Sequence, residues 1–241
     1  MKRIYFENGK IYHVYNRGVD KRIIFNNQND YLRFLSSLDD FNSLKPIDKE
    51  NEIINKVASG KREPEDEKVK NSEENILVDV LAFCLMPNHF HLLLKQKREG
   101  GVSKFMQRIT TGHTMNFNFN EKRSGTLFQG RFKAICVDRQ EYLDYLIFYI
   151  HFNPLTLIDG GWTNNKNIAF NFLNNYNWSS HLDYLNINEI KDLYSLLDER
   201  FLLENFKSSN EYIKKTFEWL EIIKEKNKHK SFIIKAIDYE E

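Results

Sequence analysis

The sequence is short of the features that mark secreted, membrane-bound or strongly polyanion-binding chains. It holds only two cysteines, Cys84 and Cys136, in 241 residues. Both stand in apolar, strand-like runs, so no disulfide framework and no cysteine-based zinc site is available, and a reducing, cytoplasmic setting fits. No apolar run approaches the roughly 18 residues that a transmembrane helix needs. The opening Met1-Lys2-Arg3-Ile4-Tyr5-Phe6-Glu7 meets a glutamate before an apolar segment develops, which argues against a secretory leader. Neither sign of charge dominates: 35 Lys and Arg against 34 Asp and Glu leave +1, so net charge selects no partner. What is plentiful is core-forming material. Hydrophobic residues make up 41% and aromatics 14%, with 19 Phe and 12 Tyr. At 28.9 kDa this is one large domain, or one domain with an appendage.

Charge is informative locally. Residues 45–74 carry 7 basic and 9 acidic side chains around Pro46, Gly60 and Pro64, with little apolar periodicity. This predicts a solvated insertion at about 42–75. Residues 76–140 carry 10 basic against 4 acidic side chains, a concentration of positive charge in the middle of a neutral chain. Such a stretch is either a solvated face or a surface that focuses potential on a polyanion.

Periodicity gives the element order. Residues 11–16 alternate as a strand closed by Asn16-Arg17-Gly18, and 29–41 repeat apolar residues at helical spacing, with Asn29 or Asp30 as the cap. Residues 76–86 and 89–96 read as strands joined at Pro87-Asn88, hence a hairpin. A helix is predicted over 102–119, a strand over 127–137, and a helix over 139–152 ended by Asn153-Pro154. The order β-α-β-β-α-β-α is the split βαβ plan of an α+β, ferredoxin-like antiparallel sheet with helices on one face. Beyond about 160 the chain turns Asn-rich and then helical, from roughly 187 to 227, and residues 181–241 are expected to form a helical C-terminal extension.

Two local patterns carry chemistry. In Pro87-Asn88-His89-Phe90-His91-Leu92, alternation puts His89 and His91 on one face and Phe90 and Leu92 on the other. Two neighbouring imidazoles are a ready pair for a divalent metal, or simply two hydrogen-bonded histidines, and a metal needs a third ligand from elsewhere. In Tyr142-Leu143-Asp144-Tyr145-Leu146-Ile147-Phe148-Tyr149-Ile150-His151-Phe152-Asn153-Pro154, positions 142, 145, 149 and 153 form one helical stripe. The stripe is either amphipathic packing, or a phenol placed beside a ligating amide at the helix end.

Met86-Pro87-Asn88-His89-Phe90-His91, followed later by Tyr149-Ile150-His151-Phe152-Asn153-Pro154, resembles the HUH single-tyrosine transposases, and more closely the REP-associated tyrosine transposase branch. Supporting runs stand in order at Asn16-Arg17-Gly18, at Cys84 to Leu93, at Ser124-Gly125-Thr126-Leu127-Phe128-Gln129-Gly130-Arg131-Phe132-Lys133 and at Trp178-Ser179-Ser180. The resemblance spans roughly residues 5–185, and residues 42–75 exceed what the family has there. It implies a transposase-like catalytic domain over 1–180 that nicks and rejoins single-stranded DNA. Tyr149 would be the nucleophile of a 5′-phosphotyrosine intermediate, and His89, His91 and Asn153 would be ligands of a divalent metal, Mg or Mn. One tyrosine makes one covalent link at a time, so complete transposition implies a second active site and hence a homodimer. The resemblance also implies a partner, single-stranded or hairpin DNA. Phosphate contacts are expected from Arg17 in the turn after the first strand, from Lys104 and Arg108 at i, i+4 on one helix face, and from Arg131 and Lys133 at i, i+2 on one strand face. Two other classes keep the same residues in different roles: an RNA- or hairpin-binding module that does no chemistry, and a metal nuclease that activates water and forms no adduct.

Overall fold

A computed structural model describes residues 5–44, 75–158, 162, 165–186 and 197–227. The insertion expected at 45–74 lies outside the described residues, as do 187–196 of the expected C-terminal helix and its end beyond 227.

Four strands form one antiparallel sheet: β1 (Ile11–Arg17), β2 (Val78–Met86), β3 (His89–Gln96) and β4 (Lys133–Val137), in the order β2-β3-β1-β4. Helix α1 (Gln28–Asp40) connects β1 to β2, and α2 (Gly101–Asn120) connects β3 to β4. This is the split βαβ order, with the N-terminal strand at the centre. The predicted hairpin forms with a two-residue turn at Pro87-Asn88, and its register pairs Cys84 with His91 and Met86 with His89. Helix α3 (Gln140–Phe152) follows β4, and α4 (Lys166–Asn174), α5 (His181–Leu185), α6 (Glu199–Asn205) and α7 (Ser209–Asn227) complete the described helices.

Several boundaries differ from the sequence reading, each for a local reason. Helix α1 is capped by Asn27. Its side chain accepts from the N–H groups of Asn29 and Asp30, and Asp30 returns the bond as the third helical residue. Asn29 and Asp30 are therefore first-turn residues, not the cap. The last strand begins at Lys133 instead of 127, because Gly130 takes a positive φ of 96° and the chain before it only bridges Gly18 through Phe128. Asn153 does not leave helical geometry ahead of Pro154. It stays right-handed at φ −48°, ψ −42°, and the chain tightens into a 3-10 turn, Asn153–Leu157, whose first positions tolerate the missing proline N–H.

Helices cover both faces of the sheet, not one. On one side, Phe90 of β3 meets Phe34 of α1 at 5.2 Å and Phe128 at 5.8 Å between ring centroids. His113 of α2 closes this layer, its Nε2 2.7 Å from the Ile24 carbonyl. On the other side lies α3. Behind α3 the described C-terminal helices continue the same core, with Tyr184, Phe206, Tyr212 and Leu220 all buried in it.

Candidate active site

Alternation in β1 and β3, locked by their register, builds the site. The pairs Tyr15–His91 and Arg17–His89, with His13 opposite Leu93, put His13, Tyr15, Arg17, His89 and His91 on the α3 side of the sheet. Register with β4 adds Lys133 beside Tyr15. The predicted same-face placement of the two histidines is seen directly: their ring centroids lie 5.1 Å apart, edge to face.

Helix α3 lays its tyrosine stripe over this face. Tyr142, Tyr145 and Tyr149 form a ladder, with centroids 6.3 Å and 5.9 Å apart. Its last rung meets the sheet: the Tyr149 ring stands edge-on to His91 at 5.6 Å and to His13 at 6.0 Å. Asn153, one turn on, donates from Nδ2 to the Tyr149 carbonyl at 2.9 Å. The Asn153 side chain also lies against the His89 imidazole and favours its protonated form. Four of the residues singled out in the sequence, His89, His91, Tyr149 and Asn153, thus converge at one end of the sheet.

Each imidazole is held by a partner. Asn88 Oδ1 lies 2.6 Å from His89 Nδ1, which assigns the proton to Nδ1 and leaves Nε2 as the lone-pair nitrogen. The same Asn88 donates from Nδ2 to the Lys21 carbonyl at 3.2 Å, tying the histidine to the turn after β1. His91 Nδ1 lies 2.9 Å from Nε2 of His13. Burial pushes His13 down to about 3. Burial also lowers His89 to about 4, with the Asn153 hydrogen bond opposing and the Arg17 charge adding to the shift. His91 is driven well below the ordinary histidine value by burial and by its two histidine neighbours. All three rings are therefore neutral near pH 7, the state that ligates metal.

The donor set suits a hard or borderline divalent ion: neutral imidazole nitrogens and an amide oxygen, with no thiolate. Among the described residues no group of three or more His, Cys, Asp or Glu could hold a metal ion, and the Asn153 amide is an oxygen donor that stands beside His89. His13 was missed in the sequence. Its only signal was its place in an alternating strand, and nothing short of the β1–β3 register shows that it reaches His91.

The five expected phosphate contacts separate into two groups. Arg17 and Lys133 lie on the site's face. The Arg17 charge is felt at His89, and the Lys133 ammonium sits 5.8 Å from the Tyr15 ring centroid. Arg131 is exposed but precedes β4, so it shares no strand face with Lys133. Lys104 and Arg108 lie on α2, in the layer across the sheet from Tyr149. Lys104 Nζ donates to the Leu44 carbonyl at 3.3 Å, while Arg108 donates to the carbonyls of Phe41, Ser43 and Leu44. Their shared helix face meets the turn that follows α1.

Comparison with known proteins adds an independent finding. Residues 54–153, under half of the chain, match the family model described as "Transposase IS200 like". The match includes His89, His91, Tyr149 and Asn153. Among solved structures, the chain is similar to a REP-associated tyrosine transposase bound to a REP hairpin, at 15% identity and a TM-score of 0.46, covering 82% of this chain and 93% of that one. No curated protein matches.

Proposed function

We propose that this chain is a transposase-type DNA strand transferase that nicks and rejoins single-stranded DNA through Tyr149. The observation that carries the reading is the convergence of one tyrosine, two neutral histidines and one asparagine at the end of a sheet, inside the stretch that matches a transposase family model. In the reaction, the Tyr149 phenol oxygen attacks a phosphodiester. A bond forms from that oxygen to phosphorus and the bond from phosphorus to the 3′-oxygen breaks. The phenol loses its proton, the 3′-oxygen gains one, and the 5′-phosphate stays on the protein. Because bond energy is kept, a free 3′-hydroxyl can run the step backwards and join strands.

The chain's own groups divide the work. His89, through Nε2, and His91 would hold a divalent ion, Mg or Mn, together with the Asn153 oxygen. When bound, such an ion supplies positive charge against the phosphate oxygens as charge builds in the transition state. A free phenol near pKa 10 is only about 0.1% ionised at pH 7, so the site must favour the phenolate or accept its proton. Arg17 and Lys133 supply positive charge on the same face, where the phosphate must approach. The substrate class is single-stranded or hairpin DNA, and two copies of the chain would supply the two tyrosines of a complete transposition. No helix among the described residues is long and apolar enough to cross a membrane.

The test uses a 3′-labelled single strand with Mn and looks for label on denatured protein. Wild type should carry label, Tyr145→Phe should keep it and Tyr149→Phe should lose it. Label on Tyr149→Phe moves the chemistry to another tyrosine. Cutting without label identifies water as the nucleophile, and no cutting at all leaves a binding module.

A further inference from the structure

The run that carries Tyr149 and Asn153 also carries His151, which the proposed chemistry does not use. At about 100° per residue, His151 points some 200° round the helix from Tyr149, on the side turned away from the histidine pair. There it enters a polar chain in an otherwise apolar core. The Phe83 N–H reaches Ser180 Oγ at 2.9 Å, and Ser180 Oγ lies 2.8 Å from His151 Nε2. His151 Nδ1 lies 2.8 Å from the Tyr212 hydroxyl, which lies 2.6 Å from His181 Nδ1. His181 Nε2 ends the chain 3.1 Å from Asn174 Oδ1.

The far end sets the direction of every bond. A carbonyl oxygen only accepts, so His181 Nε2 carries a proton and Nδ1 accepts from Tyr212. The Tyr212 oxygen then accepts from His151 Nδ1–H, and His151 Nε2 accepts from Ser180. One arrangement satisfies all the members, and His151, Ser180, His181 and Tyr212 are fully or almost fully buried. Apolar contacts reinforce it. The Phe148 ring stacks on Tyr212 at 5.6 Å and on Trp219 at 5.8 Å, and Trp219 touches Tyr145 at 5.6 Å. Helix α7 therefore grips α3 at residues 145, 148 and 151, behind the nucleophile.

We propose that His151 and Tyr212 are positioning residues, and that the C-terminal helix α7 sets the rotation of α3 and with it the place of the Tyr149 hydroxyl over the histidine pair. The inference rests on Tyr149 being the nucleophile. A helix with its side chains has a radius near 6 Å, so a rotation of about 10° moves a side-chain tip by about 1 Å. A displacement of that size costs on the order of a hundredfold in rate when the displaced atom is the attacking one. Tyr212→Phe keeps the stacked ring and removes the oxygen on which two imidazoles depend.

The experiment places 3-fluorotyrosine at position 149 of the full chain and records its 19F resonance in three backgrounds: wild type, Tyr212→Phe and Leu38→Ala. Leu38 is a buried residue of α1 across the sheet, so that variant loses stability without touching α3. Single-turnover adduct formation at saturating DNA is measured beside it. Tyr212→Phe should shift or broaden the resonance and slow the adduct step 10- to 100-fold, with half-saturating DNA within about twofold of wild type. Leu38→Ala should leave both unchanged at a temperature where it is folded. A Tyr212→Phe resonance superimposed on wild type, or an equal response in Leu38→Ala, overturns the proposal. If Tyr212→Phe does not fold, Asn174→Ala removes the terminal acceptor and should move the resonance in the same direction by less; an unmoved resonance again overturns it. A Tyr212→Phe resonance that moves as expected while the wild-type chain forms no adduct refutes the nucleophile assignment instead, and leaves the control of Tyr149 by α7 standing.

Discussion

Acidification should reveal the buried histidine chain as a calculable loss of stability. Burial holds His181 at about 3 in the folded protein, against about 6.5 for an exposed imidazole. Its folded value is depressed, so the fold prefers the neutral ring. Above pH 6.5 neither state takes up the proton and nothing is lost. Below that, the unfolded chain binds a proton that the folded chain refuses, and stability falls until about pH 3. Those two values give a cost for this residue of about 1 kcal/mol at pH 6.0 and about 3 kcal/mol at pH 4.5. His181→Gln removes the titration. It also disturbs the bonds to Tyr212 and Asn174, so at pH 7.5 it should be the less stable protein, by about 1–3 kcal/mol. The gap should narrow by about 3 kcal/mol between pH 7.5 and 4.5, because only wild type carries this histidine's penalty. Urea unfolding of both proteins at pH 7.5, 6.0 and 4.5 measures the gap directly. Two stability curves that run parallel through this window would refute the reasoning.

Three further outcomes follow from the site and its surroundings. Arg17→Gln and Lys133→Gln should each weaken single-strand binding and reduce the salt slope by about one, whereas Arg108→Met should leave affinity unchanged in a salt titration and lower Tm by about 3–6 °C through its lost carbonyl bonds. Asn88→Ala frees the His89 ring to rotate and change tautomer, so Mn affinity measured by calorimetry should fall 10- to 100-fold with Tm changed far less. Gly18→Ala should be poorly tolerated, although Gly18 has an ordinary φ of −60°, because an added Cβ would stand 2.2 Å from the Arg22 carbonyl oxygen; a thermal melt within a degree of wild type would show that the turn yields.

Much of the fold was legible because it rests on short-range pattern. Alternation through His89, Phe90 and His91 fixes which side chains share a face without knowledge of any partner strand, and helical spacing aligns Tyr149 with Asn153. The sheet order follows from the plan of elements. What stayed hidden depends on the third dimension. The His13–His91 bond needs the β1–β3 register. Spacing put Lys104 and Arg108 on one helix face, but could not tell that this face abuts the carbonyls of Phe41, Ser43 and Leu44 in the turn after α1. Arg131 and Lys133 looked like strand neighbours because the positive φ at Gly130, which delays β4, is not announced by a lone glycine. Placing helices on one face of the sheet failed because α3 is apolar on several sides: it packs against the sheet and against the C-terminal helices at once.

The central place of β1 has a consequence for how the protein is made. Residues 11–17 leave the ribosome well before both of their sheet partners, residues 89–96 and 133–137. At about 5–20 residues per second, β3 is complete only some 4–16 s after β1. Throughout that interval a strand containing Tyr12, Val14 and Tyr15, all buried in the finished protein, offers two open edges. The nascent chain is therefore most exposed to misassociation before its hairpin exists. Slowing translation between residues 17 and 89 should lower the soluble yield more than the same delay placed after residue 137.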